Sequence, residues 1–158
     1  MSKIIFVLRH AQSAGKQSGQ RDYDRLLTAE GEAEAKKSGK YFSEKGYSVD
    51  LILCSSAART RKTIELVNES LQFPADKIQY KEDLYDALLV HLLDTIHTLP
   101  DAINNVMLVG HNPGISLLAG DLCGSFMDLS TSQLIGIEFK SNSWEDLNGP
   151  GKQILNIK

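Results

Sequence analysis

Four side chains in this sequence have types and spacings suited to anion chemistry. Arg9 and His10 close the apolar run Ile4-Ile5-Phe6-Val7-Leu8, His111 closes Val106-Met107-Leu108-Val109-Gly110, and Arg59 follows the serine pair Ser55-Ser56. If they share a pocket, the chemistry indicated is phosphoryl transfer. Guanidinium forks match phosphoryl oxygens bidentately and stay charged at any working pH. A neutral imidazole can attack phosphorus and carry the group covalently, so one histidine would be a nucleophile while the second, protonated, holds a transferring oxygen. A phosphate dianion nearby raises the pKa of that second histidine. Arg59, in the first turn of a helix, adds backbone N–H groups and a favourable dipole. The arrangement requires no metal and no cofactor. Taken singly, each histidine reads as an ordinary strand-end residue, and Arg59-Arg61-Lys62 reads as a solvated helix start. Their conjunction is hard to explain on structural grounds alone.

The elements that must position these groups follow from apolar periodicity. The runs before His10 and His111 are short and continuously apolar, as expected for parallel strands covered on both faces by helices. Ligands of such sheets bind beyond the carboxyl ends of the strands, where both histidines would emerge. Residues 12–24 are polar, carry Gly15 and Gly19, and read as a long loop over that edge. Thr28 is expected to cap a helix running through Glu32, Ala35 and Tyr41 to near Gly46, and residues 49–54 a second buried strand. Ser55-Ser56 is expected to cap a helix from Ala57 to about Leu71. Residues 78–80 read as a short strand, 84–99 as a helix stopped by Pro100, and 114–123 as another helix. Residues 133–139 and 153–157 read as a strand pair, antiparallel and turning at Asn148-Gly149-Pro150-Gly151. Strands alternating with helices predict an α/β fold: a three-layer α/β/α domain with a mostly parallel central sheet.

Composition narrows the class. With 158 residues, 42% hydrophobic and 23% charged, the chain has the size and usage of one ordinary globular domain, here residues 1–158. A net charge of −3 without a basic stripe argues against nucleic-acid binding, so any anion site must be a local concentration of Arg and His. No signal segment or membrane span is evident, and Cys54 and Cys123 form no CxxC or Cys/His cluster, which together suggest reduced thiols and a cytoplasmic protein.

The motifs together resemble the histidine phosphatase superfamily, the phosphoglycerate-mutase-like group, over nearly the whole chain. Leu8-Arg9-His10-Ala11 stands where the family carries its Arg-His-Gly signature, with Ala11 in place of the glycine. Ser55-Ser56-Ala57-Ala58-Arg59-Thr60-Arg61-Lys62-Thr63 is similar to the Ser-Pro-x-x-Arg-Ala-x-Gln-Thr segment, and Val109-Gly110-His111-Asn112-Pro113 to the second-histidine motif. The short length, Asp24-Arg25-Leu26-Leu27-Thr28 with Gly31, His111-Asn112-Pro113, and the segment from Trp144 to Leu147 most resemble the SixA-type phosphohistidine phosphatases. By that resemblance His10 is the nucleophile, Arg9, Arg59 and His111 form the phosphate pocket, and Ser13 can lend its hydroxyl.

Larger members of the family place a carboxylic acid after the third strand to protonate a leaving alkoxide. Here Glu82-Asp83-Leu84-Tyr85-Asp86 is the matching region, with Asp86 aligned best and Glu82 second, although either also reads as a helix-start acid held by the dipole. Phosphohistidine departs well once its ring is protonated, so a site lacking a firm acid favours it. The expected partner is therefore a phosphorylated protein carrying phosphohistidine. A small phosphomonoester is the competing substrate, and a phosphate- or partner-binding module that lost turnover is the non-catalytic alternative.

Overall fold

Why the strand runs read so clearly is visible in how they divide their side chains. The computed structural model describes residues 1–147 and 149–158. Strand β1 (Lys3–Arg9) sends Ile5 and Val7 into one apolar cluster and Phe6 and Leu8 into another, on the opposite face of the sheet. Strand β4 (Asn105–Gly110) repeats the division with Val106 and Leu108 against Met107 and Val109. Both faces of these strands are dry, which is why they are apolar throughout rather than alternating.

One cluster is roofed by helices α1 (Ala29–Glu44) and α2 (Ala58–Leu71) through Ala35, Phe42, Ile64 and Val67. The other is roofed by α3 (Leu89–His97) and α4 (Gly114–Cys123) through Leu92, Ile96, Ile115 and Leu118. Between these layers the sheet adds β2 (Leu51–Ser55), β3 (Gln79–Lys81), β5 (Leu134–Phe139) and β6 (Lys152–Ile157), in the order β3-β2-β4-β1-β5-β6. The first four strands in that order are parallel, whereas β5 and β6 are antiparallel. This is the predicted three-layer, mostly parallel α/β fold. No helix is long and apolar enough to cross a membrane among the described residues.

Most expected elements stand within two residues of where periodicity places them, and α4 spans the expected range. Two expectations fail. The helix predicted over residues 84–99 is divided: Glu82–Leu84 forms a 3-10 turn, and α3 starts only at Leu89. The break comes at Asp86, whose φ of 48° is left-handed and cannot continue a right-handed helix. Nor does the serine pair cap α2. Ala57 occupies that cap with no side-chain hydrogen bond, because Ser55 Oγ is bonded to His111 and Ser56 Oγ accepts from the Tyr23 hydroxyl. Thr28 does cap α1, accepting from the Gly31 N–H at 2.9 Å. The antiparallel β5–β6 pair is observed, and of its predicted turn Asn148 lies outside the described residues. The path between these strands contributes buried Trp144, whose indole N–H donates to the Ile103 carbonyl at 2.7 Å.

Candidate active site

Register brings the chemistry together. In the β1–β4 pair Arg9 lies opposite Gly110, so His10 and His111 leave the sheet side by side with ring centroids 5.4 Å apart. In the β2–β4 pair Cys54 lies opposite Val109, which delivers Ser55 to His111, with Oγ 2.7 Å from Nε2. Both histidines are buried, at 8% and 5% exposure.

His10 Nδ1 lies 2.7 Å from the Ala11 carbonyl oxygen. A carbonyl can only accept, so Nδ1 carries the proton and Nε2 keeps its lone pair. Ala11 is held in turn, its N–H donating to Thr63 Oγ1 at 2.9 Å while that hydroxyl donates to the Arg59 carbonyl at 2.7 Å. The helix carrying the next support approaches closely: a Cβ on Gly31 would stand 2.0 Å from the Gln12 carbonyl oxygen, so this position admits only glycine. Burial lowers the His10 pKa to about 4, assisted by the charges of Arg59, Arg9 and Arg25 and opposed by the bond to Ala11. Burial, then Arg59 and His10, lowers His111 to about 3 against a weaker pull from Asp22. Both rings are therefore neutral near pH 7.

A cationic wall faces the histidines. Arg59 is 4% exposed and donates from Nη1 to the Asp22 carbonyl at 2.8 Å and from Nη2 to Asp22 Oδ2 at 3.1 Å. Arg25 donates to Asp22 Oδ1 at 3.0 Å, to Ser13 Oγ at 2.9 Å and to the Ala14 carbonyl at 2.9 Å. Arg9 is anchored by a bond to the Leu129 carbonyl at 2.9 Å. Nε of Arg9, Nε of Arg59 and Nδ1 of His111 are buried without a partner among the described residues. Unpaired nitrogens concentrated at one place are the signature of a polar ligand site. Tyr85 donates its hydroxyl to Asp22 Oδ2, lies 5.8 Å from the Arg59 guanidinium, and meets the His111 ring edge-on at 5.4 Å. Burial and Asp22 push the Tyr85 phenol up to about 12. The bond from Tyr85, then those from Arg25 and Arg59, hold Asp22 well below the usual carboxylate range.

An open cavity of about 500 Å³ lies among these groups, with Asp22 and Arg25 in its lining and Tyr85 behind it. Arg9, His10, Ser13, Arg59, Asp86 and His111 all contribute to its wall. Glu82 does not. Its 3-10 turn points Leu84 into the core and leaves Glu82 exposed outside the lining. Asp86 is exposed at the rim, placed there by its left-handed backbone. The sequence reading missed Arg25, Asp22 and Tyr85. Arg25 and Asp22 lie in a polar loop; Arg25 falls within the Asp24-Arg25-Leu26-Leu27-Thr28 motif without a role attached to it, and the signal for Asp22 is the density of opposite charges in Arg21-Asp22-Tyr23-Asp24-Arg25 downstream of Arg9-His10. Cys54 and Cys123 are free thiols, and burial pushes both above the ordinary thiol range, so neither is primed as a nucleophile.

Comparison with known proteins agrees with this geometry. The profile of the Histidine phosphatase superfamily (branch 1) matches residues 5–92. An uncharacterized chloroplastic protein of Arabidopsis thaliana is 32% identical, the match covering 96% of this chain and 74% of that protein. Among solved structures, a candidate phosphohistidine phosphatase SixA from Agrobacterium tumefaciens superposes with a TM-score of 0.82 at 28% identity, covering 99% of this chain and 97% of its own. Another, from Nakamurella multipartitia, reaches a TM-score of 0.85 at 22% identity, covering 100% and 96%, and shares the fold. A histidine pair at the ends of two adjacent parallel strands, a third strand leading to the helix that carries Arg59, and these matches lead to one assignment: the chain belongs to the histidine phosphatase superfamily.

Proposed function

We propose that the protein hydrolyses phosphohistidine in a partner protein through a covalent phospho-His10 intermediate. In this reading His10 Nε2 attacks phosphorus, and Arg9, Arg59 and His111 hold the phosphoryl oxygens, with Arg25 and Ser13 on the same wall. The dianion raises the pKa of His111, so that its ring, kept neutral by burial, takes up a proton as the phosphoryl group arrives. Phosphorus exchanges its bond to the substrate nitrogen for a bond to Nε2. The His10 ring, still carrying its Nδ1 proton against the Ala11 carbonyl, becomes cationic and is then a good leaving group. Water attacks next; the P–N bond breaks, both water protons stay with the phosphate, and His10 returns to its starting tautomer.

One observation carries the choice of substrate. The inner carboxylate of the cavity, Asp22, is held ionised by Tyr85, Arg25 and Arg59 and has no proton to give. The other carboxylate lining the cavity, among the described residues, is rim-exposed Asp86. An alkoxide leaving group needs a strong donor, whereas an imidazole protonated on its far nitrogen needs none. The open mouth suits a protein side chain, with the loop over residues 12–24 as cover. A small phosphomonoester remains the competing reading because Asp86 does reach the cavity wall.

The test is a comparison of kcat/KM for a phosphohistidine peptide, a histidine-phosphorylated carrier protein and an alkyl phosphate, in the natural protein and in Asp86→Asn. Phosphohistidine turnover should dominate and barely change in the variant. Strong alkyl phosphatase activity that falls by roughly two to four orders of magnitude in Asp86→Asn, the usual share of a general acid, would transfer the assignment to phosphomonoesters.

A further inference from the structure

The Asp22 carboxylate is a negative charge in a site otherwise built for an anion, and this placement needs a reason. A carboxylate facing a phosphoryl dianion is repelled by it, so the part of a bound substrate that Asp22 can face favourably is a hydrogen-bond donor on the leaving group. Lone-pair accounting shows that it has room for one. Among the described residues, Oδ2 is filled by Arg59 Nη2 and the Tyr85 hydroxyl, whereas Oδ1 accepts only from Arg25 Nη1. Each carboxylate oxygen accepts about two hydrogen bonds, so Oδ1 keeps one position open. The side chain is 41% exposed and lines the cavity, so that position is accessible. Tyr85, stacked edge to face on Tyr23 with centroids 5.1 Å apart, holds the carboxylate from outside the cavity lining.

We propose that Asp22 determines leaving-group specificity: its Oδ1 accepts the N–H of the protonated phosphohistidine ring, so that the site selects P–N over P–O bonds. This rests on the phosphohistidine reading above and names the residue that enforces it. The contact acts twice. As His10 Nε2 bonds to phosphorus and the substrate P–N bond breaks, the electron pair passes to the ring nitrogen, and the ring departs as neutral imidazole with its N–H still donated to Asp22. For an ester, the departing oxygen gains negative charge beside a fixed carboxylate and has no N–H to offer. Asp22 stays ionised throughout and transfers no proton. Because it also anchors Arg59 and Arg25, loss of its charge must be read as a ratio between substrates rather than as a bare loss of rate.

The experiment compares Asp22→Asn with the natural protein on a phosphohistidine peptide and on phenyl phosphate. The ratio of kcat/KM values, phosphohistidine over phenyl phosphate, should fall by roughly ten- to a hundredfold, the usual weight of a charge-assisted hydrogen bond. The alkaline limb of kcat for phosphohistidine should move to lower pH, because the bound ring loses the carboxylate that keeps it protonated. A second, substrate-side measurement uses phosphoimidazole against its analogue methylated on the other nitrogen, which has no N–H. The natural protein should prefer the unmethylated compound, and Asp22→Asn should erase that preference. Equal losses on both substrates, with an unshifted alkaline limb and no effect of methylation, would overturn the proposal and leave Asp22 as an anchor for Arg59. Absence of phosphohistidine turnover in the natural protein would instead refute the substrate reading itself, and this inference with it.

Discussion

The two histidines of the site are near neighbours of the same type, yet they are held in different ways. His10 is tied through Nδ1 to a main-chain carbonyl, and that carbonyl belongs to a residue whose own N–H is fixed by Thr63. A carbonyl has one role, so the tautomer is locked and Nε2 always presents a lone pair. His111 is tied through Nε2 to the Ser55 hydroxyl. A hydroxyl can donate or accept, so the ring keeps its bond whether neutral or protonated. Backbone anchoring suits the nucleophile proposed at His10, and hydroxyl anchoring suits the proposed change of charge at His111 as a dianion enters.

The contrast is broken most severely at the fixed member. His10→Ala should abolish turnover, because it removes the ring whose tautomer is fixed with Nε2 free to form the P–N bond, while leaving the circular dichroism spectrum unchanged. Residual activity above about a thousandth of the natural rate would contradict the role given to His10. Next come the charge-holding groups. His111→Ala and Arg59→Ala should each cost roughly two to four orders of magnitude in kcat, with smaller changes in KM, since their contacts strengthen as charge redistributes in the transition state. Steady-state kinetics that place the whole loss in KM would count against this. The switchable anchor is sharper still: Ser55→Ala removes the bond to His111, along with a long one from the Ala57 N–H at 3.4 Å, and should lower kcat only about two- to tenfold.

The smallest effect concerns stability and pH. His10 and His111 have folded pKa values depressed from 6.5 to about 4 and about 3. As pH falls below 6.5 the unfolded chain takes up protons that the folded site refuses, so stability present above 6.5 is lost between 6.5 and about 3. For His10 alone the loss by pH 5 is on the order of 1–2 kcal/mol. Urea unfolding at pH 7 and pH 5 should show a smaller drop in His10→Ala than in the natural protein, and an equal drop would mean that the ring is not buried in its neutral form.

What was legible in the sequence follows the same division between local and tertiary causes. The strands before His10 and His111 were readable because both of their faces are dry, and α4 because Pro113-Gly114 and Gly124 punctuate it. Thr28 could be read as a cap because capping is local. Ser55 and Ser56 look like caps but are not, for the complementary reason: their hydroxyls serve His111 and Tyr23, partners brought by other segments. The apolar pattern through residues 84–99 concealed a break at Asp86, where the chain turns to bring Tyr85 to Asp22 and Arg59. Arg25 and Asp22 carry no periodicity, and a charged loop reads as solvated until the sheet edge beneath it is known.

The most direct test of the account is to trap the intermediate. Brief incubation with substrate labelled in the phosphoryl group, an alkaline quench and peptide mapping should place the label on His10, in a linkage labile to acid and stable to alkali; rapid acid quenching would destroy it. Label on Cys54, Cys123 or a serine, or turnover without any trapped phosphoprotein under conditions that preserve phosphohistidine, would contradict covalent catalysis by His10.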